Sequence, residues 1–305
     1  MRDNNAEGVL EEPRRGTPLP PHPLTPLPPF ACSSPITHTV HLPPFTTPYT
    51  PFLSGQDTLW VTDQFTVVNV NGVHMSASRS EGYDGQAFSC VVADNESPIC
   101  GACFRLEGCD VTCESHAIIY VSGSAKATLS RCRVHDGKNV GVALVNKASA
   151  TLLNNEICSN AEAGVHVQGV GSEAYLKGNH IHDEEMYGVV IIRNASAKLE
   201  GNTITGNDLA GVTVTNHCTV SLRENTITNN GHAKRQRTDE EMEGWHARAV
   251  DAYLAGEGFP GVAVVLYSTV SMPPGSNTLK GNGTSSVVEQ IEVDNTSSHL
   301  LHISL

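Results

Sequence analysis

Residues 127–230 repeat one tripeptide pattern five times, as Ala127-Thr128-Leu129, Ala150-Thr151-Leu152, Ala174-Tyr175-Leu176, Ala197-Lys198-Leu199 and Val220-Ser221-Leu222. Successive leucines are 23 or 24 residues apart. Each unit also contains a glycine followed by an alternating apolar pair, as in Gly164-Val165-His166-Val167. A fixed period of this length indicates stacked structural units.

The unit has the chemistry of β-strands. It holds three short, β-branched pieces that alternate with period 2, separated by Asn, Gly, Ser and Asp. A strand this short is expected to pair with the same strand of the next unit. Three strands and three turns per unit predict an all-β fold, a right-handed parallel β-helix (solenoid) of about seven coils. The alternation places Val165 and Leu176 inside and His166, Tyr175 and His180 outside.

One polar position recurs three residues after each leucine, and buried polar side chains at equivalent positions can bond the coils above and below. We expect this position to form a structural ladder rather than a ligand site. Its members are Cys109, Cys132, Asn155, Asn179, Asn202 and Asn225.

The chain is expected to divide into four segments. Residues 1–55 hold 13 of the 17 prolines and predict a disordered Pro-rich arm. Residues 56–103 are interpreted as an N-terminal cap and irregular first coil, residues 104–290 as the β-helix, and residues 291–305 as a C-terminal cap or tail. In the arm, Arg15, Pro18 and Pro21 have the spacing that SH3 grooves accept, although a solvated linker is the favoured interpretation because short Pro motifs match by chance.

An insertion at residues 231–257 interrupts the last coil. It begins with the basic cluster Lys234-Arg235-Gln236-Arg237 and continues with Met242, Trp245, Ala249 and Tyr253 at roughly helical spacing. We predict a basic loop and a short amphipathic helix. The helix packs on the rod in one interpretation and binds a partner in the other.

Charge and cysteine content limit the function classes. The net charge of −13 disfavours nucleic-acid binding. The absence of a long apolar run disfavours a signal peptide or a membrane segment. Nine cysteines without an evident pairing pattern predict reduced thiols and a cytoplasmic protein, with the nucleus as an alternative if the basic cluster directs import.

A group of four cysteines has spacing reminiscent of zinc sites: Cys100, Cys103, Cys109 and Cys113. The repeat register instead assigns Cys109 to the ladder, and the coil geometry should separate Cys100 from Cys113. We therefore predict buried thiols, no metal and no cofactor.

Catalytic chemistry is not predicted. Enzymes built on β-helices use clustered carboxylates with basic groups on one face. The outward row beside the ladder lacks two or three acids on adjacent coils; it reads Asp110, Arg133, Glu156, His180, Thr203, Thr226 and Thr278. The nearest candidate is His180 with His182-Asp183, but that dipeptide is equivalent to His135-Asp136 and is interpreted as turn chemistry.

A flat, partly apolar strip lies at the outward positions of the Gly-Val-x-Val strands. An apolar strip of this kind is usually covered by the chain or by a partner. The predicted partner-binding residues are Val145, His166, Val190, Ile192 and Thr213, together with Trp245 and Tyr253 of the insertion.

Several repeat sequences resemble known β-helices. Asn160-Ala161-Glu162-Ala163-Gly164-Val165 and Gly178-Asn179-His180-Ile181-His182-Asp183 are similar to the β-helix repeats of F-box-only proteins, and more generally to those of carbohydrate-binding and sugar-hydrolase β-helices. The resemblance covers residues 104–230 and, more weakly, 261–290. It implies a non-catalytic protein-interaction module like the substrate-recognition β-helix of F-box ubiquitin-ligase subunits. The alternative is a carbohydrate-binding or polysaccharide-active (lyase- or epimerase-like) protein. No F-box helix or zinc-finger module accompanies the coils here.

Overall fold

The computed structural model describes residues 37–40, 52–54, 59–61, 67–77, 91–95, 103–232, 259–264, 267–283, 287–289, 293–294, 297–298 and 301–302. The SH3-type motif at residues 15–21 and the insertion residues 233–257, which include Trp245, Tyr253 and the predicted helix, lie outside them.

The regular structure of the described residues consists of short strands, and no helix is present there that could cross a membrane. The strands are β1 (Thr37–Val40), β2 (Phe52–Ser54), β3 (Leu59–Val61), β4 (Val67–Asn71), β5 (His74–Ala77), β6 (Val91–Asn95), β7 (Cys103–Glu107), β8 (Asp110–Cys113), β9 (Ile119–Gly123), β10 (Lys126–Ser130), β11 (Arg133–His135), β12 (Val142–Val145), β13 (Ser149–Leu153), β14 (Glu156–Cys158), β15 (Ala163–Gln168), β16 (Glu173–Lys177), β17 (His180–His182), β18 (Tyr187–Ile192), β19 (Ser196–Glu200), β20 (Thr203–Thr205), β21 (Val212–Thr215), β22 (Thr219–Arg223), β23 (Thr226–Thr228), β24 (Val262–Val264), β25 (Thr269–Ser271), β26 (Thr278–Lys280), β27 (Val287–Glu289), β28 (Val293–Asp294), β29 (Ser297–Ser298) and β30 (Leu301–His302).

From β1 to β27 every third strand joins the same sheet, while β28 and β29 form a separate antiparallel pair. Sheet A has the order β1-β4-β7-β10-β13-β16-β19-β22-β25, sheet B has β2-β5-β8-β11-β14-β17-β20-β23-β26, and sheet C has β3-β6-β9-β12-β15-β18-β21-β24-β27-β30. The predicted all-β parallel solenoid is therefore confirmed. Between Cys103 and Thr215 it completes about five uninterrupted turns, one for each consecutive strand triplet from β7 to β21.

The leucine register of the sequence is the register of sheet A. Leu129 pairs with Leu106 and Leu152, and the ladder continues through Leu176, Leu199 and Leu222. These leucines are buried together with the inward residues of the other two sheets, such as Ile157 and Val165. The core is thus a stack of equivalent layers, and burial of these side chains is its main stabilising term.

The first ladder runs along the turn between sheets A and B. Asn179 Oδ1 accepts hydrogen bonds from the backbone N–H and the Nδ2 of Asn155, both at 2.9 Å. The Nδ2 of Asn179 donates to Leu152 O and to Asn202 Oδ1, also at 2.9 Å. Asn225 and Asn277 continue the pattern, and every amide in it is satisfied by the adjacent turns.

A second ladder, which the sequence analysis did not identify, lies five residues later, at the turn between sheets B and C. Asn207 donates its backbone N–H and its Nδ2 to Asn230 Oδ1, and Asn230 does the same to Asn282. Glu184 takes an amide's place here, because its Oε2 accepts the backbone N–H of Asn160 at 2.7 Å. Burial raises the pKa of Glu184 well above its usual range, with hydrogen bonds from Asn160 opposing that rise.

The two chain segments that flank the insertion contact each other at Gly231 and Phe259, and we call this contact the closed base. The backbone N–H of Phe259 donates to Gly231 O at 3.3 Å, and a Cβ added to Gly231 would lie 1.9 Å from the Phe259 carbonyl oxygen. After this base β24 pairs with β21, with Val262 opposite Val212 as the glycine spacing predicts. The strand pairing therefore resumes in register after the insertion.

Strands at both ends extend the sheets. β1 and β2 fall within residues 1–55, where the sequence predicts a disordered arm, and pair in parallel with β4 and β5. Val70 pairs with Leu106, 36 residues later. This step is longer than the 23-residue period, so the period does not reveal this coil. At the other end β27 pairs in parallel with β24, and β30 pairs antiparallel with β27.

Candidate functional site

The outer face of sheet C, where the binding strip was predicted, is buried. Val190 and Thr213 are 0% and 1% exposed, Ile192 and His166 are 1% and 2% exposed, and Val145 is partly exposed. Val190 and Ile192 pack in a cluster with Phe259 and other residues of this face. Of the two alternatives for the strip, the structure shows cover by the chain itself, and a partner-binding role for these residues stays a prediction.

The outer face of sheet A carries an open groove of about 750 Å³. It crosses six strands, from β10 to β25. One outward column supplies a lining residue from every one of these strands in matched register: Thr128, Thr151, Tyr175, Lys198, Ser221 and Ser271. Seven of the sixteen lining residues are serine or threonine, five are alanine or valine, and Tyr175 is the aromatic residue among the described lining.

Charged groups pair with one another at the middle of the groove. Glu200 accepts hydrogen bonds from Lys177 at 2.9 Å and from the Tyr175 hydroxyl at 3.2 Å, and its other ion pair joins Lys198 at 3.2 Å. The hydrogen bonds from Lys177 and Lys198 lower the pKa of Glu200 to about 2. Lys198 Nζ also lies 5.2 Å from the Tyr175 ring centroid. The Tyr175 ring is thereby held in place by neighbours on the next turn.

The outer face of sheet B carries the titratable groups, in a repeated histidine–carboxylate arrangement. His135 contacts Asp136 through Nδ1 at 2.6 Å and Asp110 of the preceding turn through Nε2 at 3.0 Å. His74 also bonds Asp110, at 2.7 Å. Burial acts to raise the pKa of Asp110, but the two histidines outweigh it and lower that pKa.

The same arrangement recurs two turns later with different neighbours. His182 contacts Asp183 through Nδ1 at 2.8 Å and Glu156 through Nε2 at 3.4 Å. The register places Cys158 beside His182 on the neighbouring strand. Burial and the nearby Glu156 raise the pKa of the Cys158 thiol. The His180 ring stacks on His182 at 4.0 Å, and burial lowers the His180 pKa.

These contacts refine the interpretation of His182 and Asp183. Both histidines end strands, β11 and β17, while Asp136 and Asp183 lie in the turns that follow, each with a φ of 55°. Cys158 is not among the site residues predicted from the sequence, because it lies outside both the row of Glu156 and the row of Tyr175. The row two positions later, which reads His135, Cys158 and His182, would have revealed it.

The cysteines of the zinc-like motif have separate surroundings. Cys109 and Cys132 occupy the start of the first ladder, where their thiols contact the backbone carbonyls of Glu107 and Ser130. The Cys132 thiol also lowers the pKa of Cys109 to about 7 through a hydrogen bond. Cys113 lies in the hydrophobic core, Cys103 begins β7, and Cys100 is outside the described residues.

Two comparisons with known proteins bear on this fold. The A-module of Azotobacter vinelandii mannuronan C-5 epimerase AlgE4 is similar to 78% of this chain over 82% of its own length, with 13% sequence identity and a TM-score of 0.26. These values are too low to transfer an activity. A family model described as the right handed beta helix region matches residues 65–232, which is more than half of the chain. The chain therefore belongs to the right-handed β-helix family.

Proposed function

We propose that this protein is a non-catalytic binding β-helix whose ligand, an extended and largely neutral carbohydrate chain, lies along the groove of sheet A. The observation that carries the proposal is the outward column in register across six strands, in which five side chains carry a hydroxyl and the sixth, Lys198, carries an ammonium group. Parallel strands are about 4.8 Å apart, so a linear polymer along the solenoid would meet a hydrogen-bonding group at each turn. A repeating ligand matches a repeating surface.

Tyr175 adds an apolar contact to this hydroxyl surface. Sugar-binding sites combine polar groups that fix orientation with an aromatic ring that packs against the C–H face of a pyranose. The hydrogen bond from Tyr175 to Glu200 fixes the direction of the ring, so little conformational entropy is lost when a ligand packs on it. We expect Tyr175 to dominate the affinity.

Charge supports a neutral ligand that is bound without turnover. Glu200 offsets one of the two positive charges of Lys177 and Lys198, and the net charge of −13 disfavours long polyanions. Glycoside hydrolysis commonly uses two carboxyl groups flanking the bond to be cleaved. Glu173 is the one carboxylate among the described residues that line the groove, and Glu200, which is outside that lining, is paired with Lys177 and Lys198.

The test uses the full chain on an array of immobilised polysaccharides. Thr151→Trp fills the groove from a half-buried outward position, while Thr203→Trp adds the same bulk to the exposed face of sheet B. We expect the wild type and Thr203→Trp to bind the same neutral glycans and Thr151→Trp to lose them. Absence of binding by the wild type, or equal binding by both variants, would overturn the proposal.

A second proposal is protein recognition through the insertion, as the resemblance to F-box-only proteins implies. It is favoured by the closed base at Gly231 and Phe259, which lets the insertion vary without disturbing the solenoid. Replacing residues 233–257 with a short glycine linker should leave the stability unchanged and remove specific partners in affinity purification. An unchanged partner set would exclude the insertion from this role.

The remaining proposals concern activity, the arm and location. A lyase- or epimerase-like activity would appear as turnover of uronate polymers that His182→Ala abolishes.

SH3 binding through Arg15, Pro18 and Pro21 would be lost in Pro18→Ala. A cytoplasmic location, with import directed by Lys234–Arg237 as the alternative, is tested by imaging a fluorescent fusion with and without those basic residues.

A further inference from the structure

Three side chains of metal-ligand type converge on the outer face of sheet B. Glu156 and Cys158 come from strand β14, and His182 comes from the adjacent strand β17. One ligand atom from each lies within 4.8 Å of the other two. The parallel register creates this convergence, because Cys158 is directly opposite His182 and both point outward with Glu156.

The separations approach those of a tetrahedral zinc site. Zinc binds histidine nitrogen and carboxylate oxygen at about 2.1 Å, so two such ligand atoms in a tetrahedron are about 3.4 Å apart. His182 Nε2 and Glu156 Oε1 are separated by 3.4 Å. Cys158 Sγ lies within 4.8 Å of both atoms, and its side chain would complete three tetrahedral positions at about 3.6 Å from each. The combination of imidazole and thiolate favours zinc over calcium or magnesium.

The surroundings provide the outer contacts that such a site requires. His182 uses its other ring nitrogen, Nδ1, to bond Asp183 at 2.8 Å. Carboxylate bonding to the second nitrogen orients metal-binding histidines and increases their basicity. Arg133 contacts Oε2 of Glu156 at 3.3 Å and leaves Oε1 directed at His182. The Glu156 side chain is 45% exposed, which provides a path for an ion from solvent.

We propose that Glu156, Cys158 and His182 bind a zinc-class divalent ion, with Asp183 orienting His182 and a fourth coordination position open to water or another ligand. Three protein ligands with an open position is the composition of catalytic zinc sites. The site is on sheet B and is independent of the proposed groove on sheet A.

The neighbouring histidine provides an internal control. His135 repeats the geometry of His182, with Asp136 at Nδ1 and Asp110 at Nε2. The strand toward which its Nε2 points is β8, which carries Thr112 where β14 carries Cys158. Asp110 is also bonded to His74. His135 is also opposite Cys158, across the β11–β14 pair, but the group whose ligand atoms all lie within 4.8 Å of one another contains His182 and not His135.

The test is titration of the purified, metal-free full chain with Co²⁺, followed by the thiolate-to-cobalt absorption band and by competition with Zn²⁺. We expect one ion per chain. Cys158→Ser should abolish the band, Glu156→Gln and His182→Gln should weaken binding at least tenfold, and Asp183→Asn should weaken it about 10- to 100-fold. His135→Gln should bind like the wild type.

Several results would overturn this assignment. They are absence of a thiolate band in the wild type, an unchanged band in Cys158→Ser, or equal losses in His135→Gln and His182→Gln. Glu156 is on the surface, so Glu156→Gln tests the site even if replacing the buried Cys158 prevents folding. Unaltered Co²⁺ affinity in Glu156→Gln would contradict the proposal by itself.

Discussion

Sheets A and C are built from the same repeat, yet the outer face of sheet A is open and the outer face of sheet C is buried. On sheet A the outward column of Thr151, Tyr175 and Ser221 is open and lines a groove. On sheet C the outward positions Val190 and Thr213 are as buried as the core. The inner faces of the two sheets are equivalent and share one hydrophobic cluster. The difference teaches that alternation fixes which side chains point outward, while burial of the outer face depends on the rest of the chain.

The largest expected effect comes from placing the same charge on the two faces. Val190→Asp puts a carboxylate in the buried apolar cluster of sheet C, which should lower the free energy of unfolding by about 3 kcal/mol or more. Thr151→Asp, on the open face, should change it by less than about 1 kcal/mol. Urea unfolding of both variants measures the difference. Equal losses of unfolding free energy in the two variants would show that the two outer faces do not differ in burial.

The next largest loss of unfolding free energy is expected in the first asparagine ladder, inside the solenoid. Asn179→Ala removes the acceptor for the Asn155 backbone N–H and the donor to Leu152 O. Two buried backbone groups without partners should cost about 2–4 kcal/mol. Asn277→Ala, at the partly exposed end of the same ladder, should cost less because water can replace the amide. Similar losses for both variants in urea unfolding would show that the ladder does not depend on burial.

A smaller, pH-dependent effect is expected on the sheet C side, at Glu184. Burial raises the pKa of this carboxyl in the folded state above its ordinary value of 4.5. Its contribution to stability is therefore full below about pH 4.5 and falls as pH rises through the folded pKa, by about 1.4 kcal/mol per pH unit in that window. Glu184→Gln resembles the protonated form and should lack this dependence.

The measurement is the unfolding free energy of the wild type and Glu184→Gln at a series of pH values from 4 upward. The difference between them should grow with pH in favour of Glu184→Gln. Asn207→Asp, at the equivalent position one turn later, should introduce a similar dependence into the ladder. Parallel pH curves for the wild type and Glu184→Gln would show that Glu184 is ionised at no cost in the folded protein.

The sequence predicts the interior of this protein better than its surfaces. Leu129, Leu152 and Leu176 recur at one period because one layer must pack on the next, so fold and register follow from spacing. The second ladder is difficult to recognise in the sequence, because Glu184 interrupts a row of asparagines that would otherwise recur at the period of the leucines. The first coil is hidden by its longer connection between Val70 and Leu106.

A binding site depends on distances between side chains, and the spacing of a sequence repeat does not give those distances. The sequence places His182 and Cys158 on adjacent coils, but their approach to Glu156 depends on side-chain directions. Likewise, the outward column of sheet A is readable in the sequence as a row of mostly hydroxyl residues. Whether a column is open or buried is not readable, because the period gives the direction of a side chain and not what packs on it.

The most direct measurement of the central claim, that sheet A is the ligand face, is calorimetric titration of a glycan selected on the array. The wild type is compared with Tyr175→Ala in the groove and His180→Ala on the exposed face of sheet B. Loss of the ring contact should weaken binding about tenfold or more in Tyr175→Ala, which corresponds to about 1.4 kcal/mol. His180→Ala should bind like the wild type. Unchanged affinity in Tyr175→Ala with weakened binding in His180→Ala would contradict the account.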